Sequence, residues 1–163
     1  MNYHKIEKFS VENGTGIRVV LWCSGCGVHC KNCHNPETWD RYSGKPWTEE
    51  SEQELFEALD KDYISGITYS GGHPLEEYNI ETITNIAKKI KERFPNKTQW
   101  LYTGFVWEEV KDLEIMKYIN ILVDGPYIEE QRDISLKWRG SSNQKVIDTK
   151  KSLELNQIVL YCD

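Results

Sequence analysis

The sequence predicts an α/β fold built as a partial, open (β/α) barrel with a mostly parallel, curved sheet. Two observations carry this. Short β-branched or aromatic runs alternate with amphipathic helical stretches along the chain, the pattern of βαβ units. The chain is also short: 163 residues fall well below the ~250 a closed eight-fold barrel usually takes, so one side stays open. Right-handed crossovers then place the helices on one side of the sheet. No repeat or low-complexity tract divides the chain, and residues 1–163 are read as one domain.

The elements follow in order. Tyr3 to Val11 is a first strand, and Asn13-Gly-Thr-Gly16 a turn. Ile17 to Trp22 is a buried strand, rich in β-branched residues. Pro36 to Asp40 is a short helix opened by proline, broken again by Tyr42-Ser-Gly-Lys-Pro46. Ser51-Glu-Gln-Glu54 has capping-box spacing and opens a helix to about Lys61. Gly66 to Ser70 is a strand ending in Gly71-Gly72-His73-Pro74. Ile80, Ile83, Ile86, Ala87, Ile90 and Phe94 form one stripe of a helix from Asn79 to Phe94. Thr98 to Tyr102 is the next strand, Trp107 to Tyr118 the next helix, and Ile119 to Val123 another strand, stopped by Asp124-Gly-Pro126. A polar loop covers Ile128 to Leu136. Lys145 to Asp148 and Ile158 to Tyr161 complete the strands.

Composition narrows the function classes. A formal charge of −6 and a pI near 5.3 argue against a nucleic-acid partner. No apolar run reaches the ~20 residues that span a membrane, and the N-terminus has no signal-peptide core, so a cytoplasmic protein is expected. Five cysteines, four of them between Cys23 and Cys33, make a poor disulfide framework. In a reducing compartment such crowding points to metal binding or catalysis.

Cys26, Cys30 and Cys33 sit at offsets of four and three, just after the strand ending at Trp22. A loop of this size can wrap one face of an iron–sulfur cubane and give a thiolate to each of three irons, leaving the fourth open to bind and transform a ligand. Read with Cys23, the loop becomes two Cys-x-x-Cys pairs. Four thiolates would close a zinc or ferredoxin-like site, making the protein a non-enzymatic module. Cys23 also suits a buried structural thiol, one residue past its strand. His29 and His34 are alternatives as ligands, with loop packing or cofactor contact as their plainer roles. Three further turns, Gly71 to Pro74, Thr103-Gly104 and Asp124-Gly125, follow strand ends as the cysteine loop does, and in barrels of this class strand ends form the site.

At these residues the sequence resembles the radical S-adenosylmethionine superfamily, whose Cys-x3-Cys-x2-Cys motif follows the first strand of a partial or full barrel. Within it, Asn13-Gly-Thr-Gly-Ile-Arg18, Cys33-His-Asn-Pro-Glu-Thr-Trp39, Ser70-Gly-Gly, Tyr102-Thr-Gly104, Val123-Asp-Gly125 and Trp138-Arg-Gly-Ser-Ser-Asn-Gln144 look like the activating enzymes of anaerobic ribonucleotide reductase. The resemblance implies that Cys26, Cys30 and Cys33 ligate a 4Fe-4S cluster and that its open iron chelates S-adenosyl-L-methionine. Reductive cleavage then gives methionine and a 5′-deoxyadenosyl radical. That radical takes hydrogen from a glycine of the glycyl-radical subunit of anaerobic ribonucleoside-triphosphate reductase. Asn32, Cys33, His34, Gly71, Gly72, His73, Thr103, Asp124 and Asn143 are the expected cofactor contacts, with no catalytic side chain beyond the cluster ligands. A low-potential donor such as flavodoxin is implied as the electron source. Another glycyl-radical partner, or a nucleotide-like small substrate, fits the same chemistry.

The chain departs from the superfamily pattern at three places. His73 stands where an acid commonly follows the two glycines; an acid pairs with an ammonium, whereas imidazole accepts one hydrogen bond at most. Its plainer reading is a solvated turn histidine. Asn32 replaces an aromatic residue or glycine, and Thr15 a frequent proline.

Overall fold

In a computed structural model, which describes residues 1–33 and 35–162, one open sheet of eight strands organises the chain. The strands are β1 (Asn2–Ser10), β2 (Arg18–Cys23), β3 (Lys45–Pro46), β4 (Gly66–Gly71), β5 (Thr98–Tyr102), β6 (Ile121–Asp124), β7 (Lys145–Asp148) and β8 (Leu160–Cys162), in the spatial order β3-β1-β2-β4-β5-β6-β7-β8. The helices are α1 (Glu49–Leu59), α2 (Ile80–Arg93), α3 (Trp107–Val110) and α4 (Thr149–Leu155).

The sheet is mixed, which corrects the expected mostly parallel one. Only β2–β4, β4–β5 and β5–β6 pair in parallel. The pairs β1–β2, β1–β3, β6–β7 and β7–β8 are antiparallel. Parallel neighbours need a crossover segment, and only the three connections carrying α1, α2 and α3 cross over to a parallel partner. The Ser10–Arg18 turn folds β2 straight back on β1.

Alternation along the strands separates the two faces of the sheet. Val19, Leu21 and Cys23 of β2, Ile67 and Tyr69 of β4, Leu101, Leu122 and Ile147 pack with Leu55, Leu59, Ile83, Ile86 and Ile90 from the helices. The opposite face gathers Trp100, Ile121, Val123 and Val146, with Tyr102 and Trp138 against them. Burying the α2 stripe is what fixes that helix, since Ile83, Ile86, Ala87 and Ile90 are all at most 1% exposed.

Three local expectations shift. Helix α1 starts earlier, capped by Thr48: its Oγ1 accepts the Ser51 N–H, while Ser51 Oγ accepts the Thr48 N–H. The reciprocal pair expected at Ser51 and Glu54 therefore forms one turn upstream. The expected Trp107–Tyr118 helix is broken, because Leu113 takes an extended backbone and the chain restarts as a 3-10 turn at Glu114–Lys117. That restart buries both Ile115 and Met116. Helix α4, capped by Asp148 through the Lys151 N–H, was not expected; its polar Thr-Lys-Lys start shows little apolar period.

Candidate iron–sulfur site

The cysteine loop leaves β2 and is stitched to the turn at residues 36–39. Gly25 N–H donates to Thr38 O at 2.6 Å and Cys26 N–H to Trp39 O at 3.1 Å, and the His29 ring stacks on Trp39 with centroids 4.3 Å apart. His29 and Asn32 hold φ near +48° and +58°, a left-handed conformation that asparagine tolerates better than most residues. These bends wrap the segment tightly enough to turn its thiols to one side.

The wrapped loop faces the ends of β4, β5 and β6. One cavity of about 160 Å³ is lined by Cys26, Val28, Cys30 and Cys33, by Ser70 to His73, by Tyr102 to Gly104, and by Gly125, Tyr127 and Gln144. A wider cavity of about 580 Å³ continues from Cys30 and Cys33 along the sheet face past Trp22, Tyr102, Trp138 and Arg139. Cys26, Cys30 and Cys33 are all half-buried free thiols.

Cys23 is separated from them. It is fully buried in the helix-side core beside Leu21, and burial pushes its thiol up to about 12. A thiol held protonated in an apolar core is a poor metal ligand. The position thus has the character of a structural thiol, and the four-thiol arrangement gains nothing from the geometry.

The three loop thiols fit a thiolate-held cluster. Backbone N–H groups of Val28 and His29 reach the Cys26 sulfur, and Asn35 N–H points to Cys33 Sγ at 3.4 Å. Such N–H···S contacts are a standard lever on iron–sulfur potential. Burial pushes the Cys26 thiol up, an effect those two N–H groups oppose. Among the described residues, no group of three or more His, Cys, Asp or Glu side chains is set to hold a single metal ion. A cluster asks for less, since each thiolate goes to a different iron.

Gly71 and Gly72 line the cavity, and their lack of side chains also serves the backbone. Gly71 has φ +104°, and a β-carbon there would meet Cys23 N at 2.5 Å. Through Gly72 N–H to Cys23 O at 2.9 Å and His73 N–H to Gly25 O at 2.7 Å, this turn carries the start of the cysteine loop.

His73 is 1% exposed, which corrects the solvated reading. Its Nδ1 lies 3.1 Å from Glu76 Oε1, and its Nε2 lies 2.7 Å from Thr103 Oγ1 and 3.3 Å from the Gly104 nitrogen. Burial lowers its pKa, with Glu76 opposing. Asp124, buried at the end of β6, accepts the Trp107 and Lys145 backbone N–H groups with its carboxylate at 2.8 and 3.0 Å. Neither Asp124 nor Asn143 lines the cavity. Asn143 Nδ2 donates to Pro126 O at 2.7 Å. Asn32 is exposed on the loop, and His34 lies outside the described residues.

Comparisons with known proteins bear on the same segment. A family model described as a 4Fe-4S single cluster domain matches residues 12–147. The anaerobic ribonucleoside-triphosphate reductase-activating protein of Enterobacteria phage T4 is 42% identical over 146 residues, covering 90% of this chain and 93% of the relative. Proteins of the same name from Vibrio cholerae serotype O1 and Escherichia coli K12 are 39% and 38% identical over 150 residues, covering 90% of this chain and 97% of each relative. The chain belongs to this activating-protein family.

In this family member, the cavity lining extends beyond the expected contacts. Tyr102 and Gln144, read only as parts of motif strings, and Tyr127, which no motif marked, all line it, and Gln144 Oε1 gathers the Gly140 and Ser141 N–H groups at 2.9 and 3.2 Å. Glu76 was missed because it follows the turn by three residues in what reads as a polar helix approach. Only its spacing from His73 hinted at a pair.

Proposed function

We propose that this chain is an activating enzyme of the radical S-adenosylmethionine type, acting on an anaerobic ribonucleoside-triphosphate reductase. The observation that carries the reading is the meeting of Cys26, Cys30 and Cys33 in one cavity with the turns after β4, β5 and β6, in a member of this family. In this reading the open sheet is a partial barrel, and residues 1–163 act as one domain in the cytoplasm. The three thiolates hold three irons of a 4Fe-4S cluster while Cys23 stays in the core. When bound, the cluster and S-adenosyl-L-methionine would supply one-electron reductive cleavage to methionine and a 5′-deoxyadenosyl group able to take a hydrogen atom from a glycine of the reductase.

The chain's own residues make the place for that chemistry. The N–H groups of Val28, His29 and Asn35 spread charge away from the sulfurs. Val28, Tyr102 and Tyr127 supply much of the apolar surface lining the cavity. Asn32 and Cys33 border the adenosyl side, with His34 as the expected third contact. Gly71, Gly72, His73 and Thr103 form the methionine side. Asn143 acts on the far side by holding the Gly125–Pro126 turn through Pro126 O, and Asp124 acts by tying the end of β6 to the starts of α3 and β7 through the Trp107 and Lys145 N–H groups. The wide cavity beyond Cys30 is the entry for the partner's segment, and a low-potential donor such as flavodoxin delivers the electron.

Anaerobic reconstitution with iron and sulfide, followed by S-adenosyl-L-methionine and dithionite, tests this. The expected products are 5′-deoxyadenosine and methionine, with a glycyl-radical signal by electron paramagnetic resonance once the reductase is added. A protein with full iron that forms neither product, with or without the reductase, overturns the reading.

A further inference from the structure

We propose that His73 and Glu76 form a positioning relay that ties the Cys26 side of the cysteine loop to the end of β5, with Glu76 acting as a hydrogen-bond acceptor rather than as a countercharge for the ligand. The proposal deepens the function above and rests on it for the ligand's identity.

The relay spans three elements. Glu76 Oε1 accepts the Gly27 N–H at 2.7 Å, inside the segment between Cys26 and Cys30, and lies 3.1 Å from His73 Nδ1. On the other side of the ring, Nε2 accepts the Thr103 hydroxyl at 2.7 Å, and the Gly104 N–H points at the same lone pair from a longer 3.3 Å. A backbone N–H can only donate, so Nε2 is the acceptor and the neutral ring carries its proton at Nδ1, facing the carboxylate. Every polar atom of the imidazole is thereby used within the protein. Packing follows the same line: a β-carbon on Gly104 would meet Val28 Cγ2 at 2.8 Å, and Phe105 sets its ring edge-to-face with His73 at 4.4 Å.

This arrangement answers the missing acid after the two glycines. Imidazole at position 73 brings no negative charge to the cavity. Its carboxylate partner, Glu76, stands behind it, outside the lining of either cavity that holds the thiols, while Glu7 and Glu12 line the wider cavity beside Cys30 and Cys33 and the smaller one has no acid among its described lining residues. Its Oε1 is already occupied by Gly27 and His73. The pair therefore fixes where Cys26 sits relative to β5, across the space the ligand enters.

Two readouts on Glu76→Ala, His73→Phe and Glu76→Gln decide it. The first is amide hydrogen exchange at Gly27 in metal-free protein, which needs no activity. The second is KM for S-adenosyl-L-methionine against kcat, at matched iron content. Removing the acceptor or the ring speeds Gly27 exchange by about five- to tenfold and raises KM by a similar factor, as expected for the loss of one hydrogen bond. Glu76→Gln keeps the acceptor oxygen and rescues both readouts. Unchanged Gly27 exchange in Glu76→Ala overturns the relay. So does a Glu76→Gln protein with protected Gly27 but a KM as high as that of Glu76→Ala, because the charge would then be what meets the ligand. Should the alanine variant fail to fold, Glu76→Gln is judged against wild type instead: protected Gly27 with a KM about tenfold above wild type overturns the relay. A wild-type protein that cleaves nothing removes the function above, while the exchange measurement still judges the relay.

Discussion

Gly72 stands so close to Gly25 that a β-carbon on it would fall 2.5 Å from the Gly25 carbonyl oxygen. The same carbonyl accepts the His73 N–H at 2.7 Å, so the first residues of the cysteine loop rest directly on this turn. Backbone cannot step aside as a flexible side chain can. Gly72→Ala therefore pushes the loop off its seat, lowering stability by about 1–3 kcal/mol, the usual range for overpacking. Iron bound per chain after anaerobic reconstitution should fall with it. A variant that melts like wild type and binds full iron would show that the loop is seated elsewhere.

Cysteine substitutions separate the ligands from the core thiol. Cys26→Ala, Cys30→Ala and Cys33→Ala should each fold, lose the visible absorption of a reconstituted cluster and abolish S-adenosyl-L-methionine cleavage. Cys23→Ala deletes a small buried group next to Leu21, costing about 1 kcal/mol while leaving iron content and most cleavage in place. An active Cys30→Ala protein, or a folded Cys23→Ala protein without iron, sinks the assignment.

Spacing made much of this legible. The three loop thiols, the strand-end turns and the α2 stripe all read from local pattern, because each is a short-range consequence of strand, turn or helix period. Strand direction did not. Whether β7 runs with or against β6 depends on how residues 125–144 return, and nothing in that polar stretch marks the absence of a crossover. The Thr48 cap and the break at Leu113 were settled by which side chains the sheet could bury. His73 and Glu76 read as an ordinary polar turn, since their partners, Gly27, Thr103 and Gly104, are distant in sequence.

Acid should weaken the fold through His73. Burial holds its folded pKa below the ordinary histidine value, about 6.5. The unfolded chain then binds more protons than the native one between those two values, so stability rises with pH across that window. It is fully present above about pH 6.5 and is lost as pH falls toward the lowered folded value. Melting curves of metal-free wild type and His73→Phe between pH 5 and pH 8 check this. Wild type should lose more stability on acidification than the variant does; parallel profiles would remove His73 from the account.

Arg18 is the last case, and it separates stability from the site. The guanidinium is fully buried on the sheet face opposite the helices, at the start of β2 and far along the strand from the cysteine loop. Its donors reach Thr68 Oγ1, Thr98 Oγ1 and the carbonyls of Thr15, Ile67 and Thr98 at 2.7–3.1 Å, and it lies over the Trp100 ring. Among the described residues it forms no ion pair with a carboxylate. Burial lowers its pKa to about 10, so it still carries its charge at neutral pH. Such a charge is tolerable only because five directed hydrogen bonds replace its water, a pattern a lysine ammonium with three donors on one atom does not match. Arg18→Lys should therefore cost about 3 kcal/mol, by leaving buried acceptors unsatisfied. Iron bound per folded chain should not change. Denaturant midpoints give the first quantity and iron analysis the second. A midpoint like that of wild type would mean the fork of hydrogen bonds contributes little; a fall in iron per folded chain would mean that this end of the sheet reaches the site.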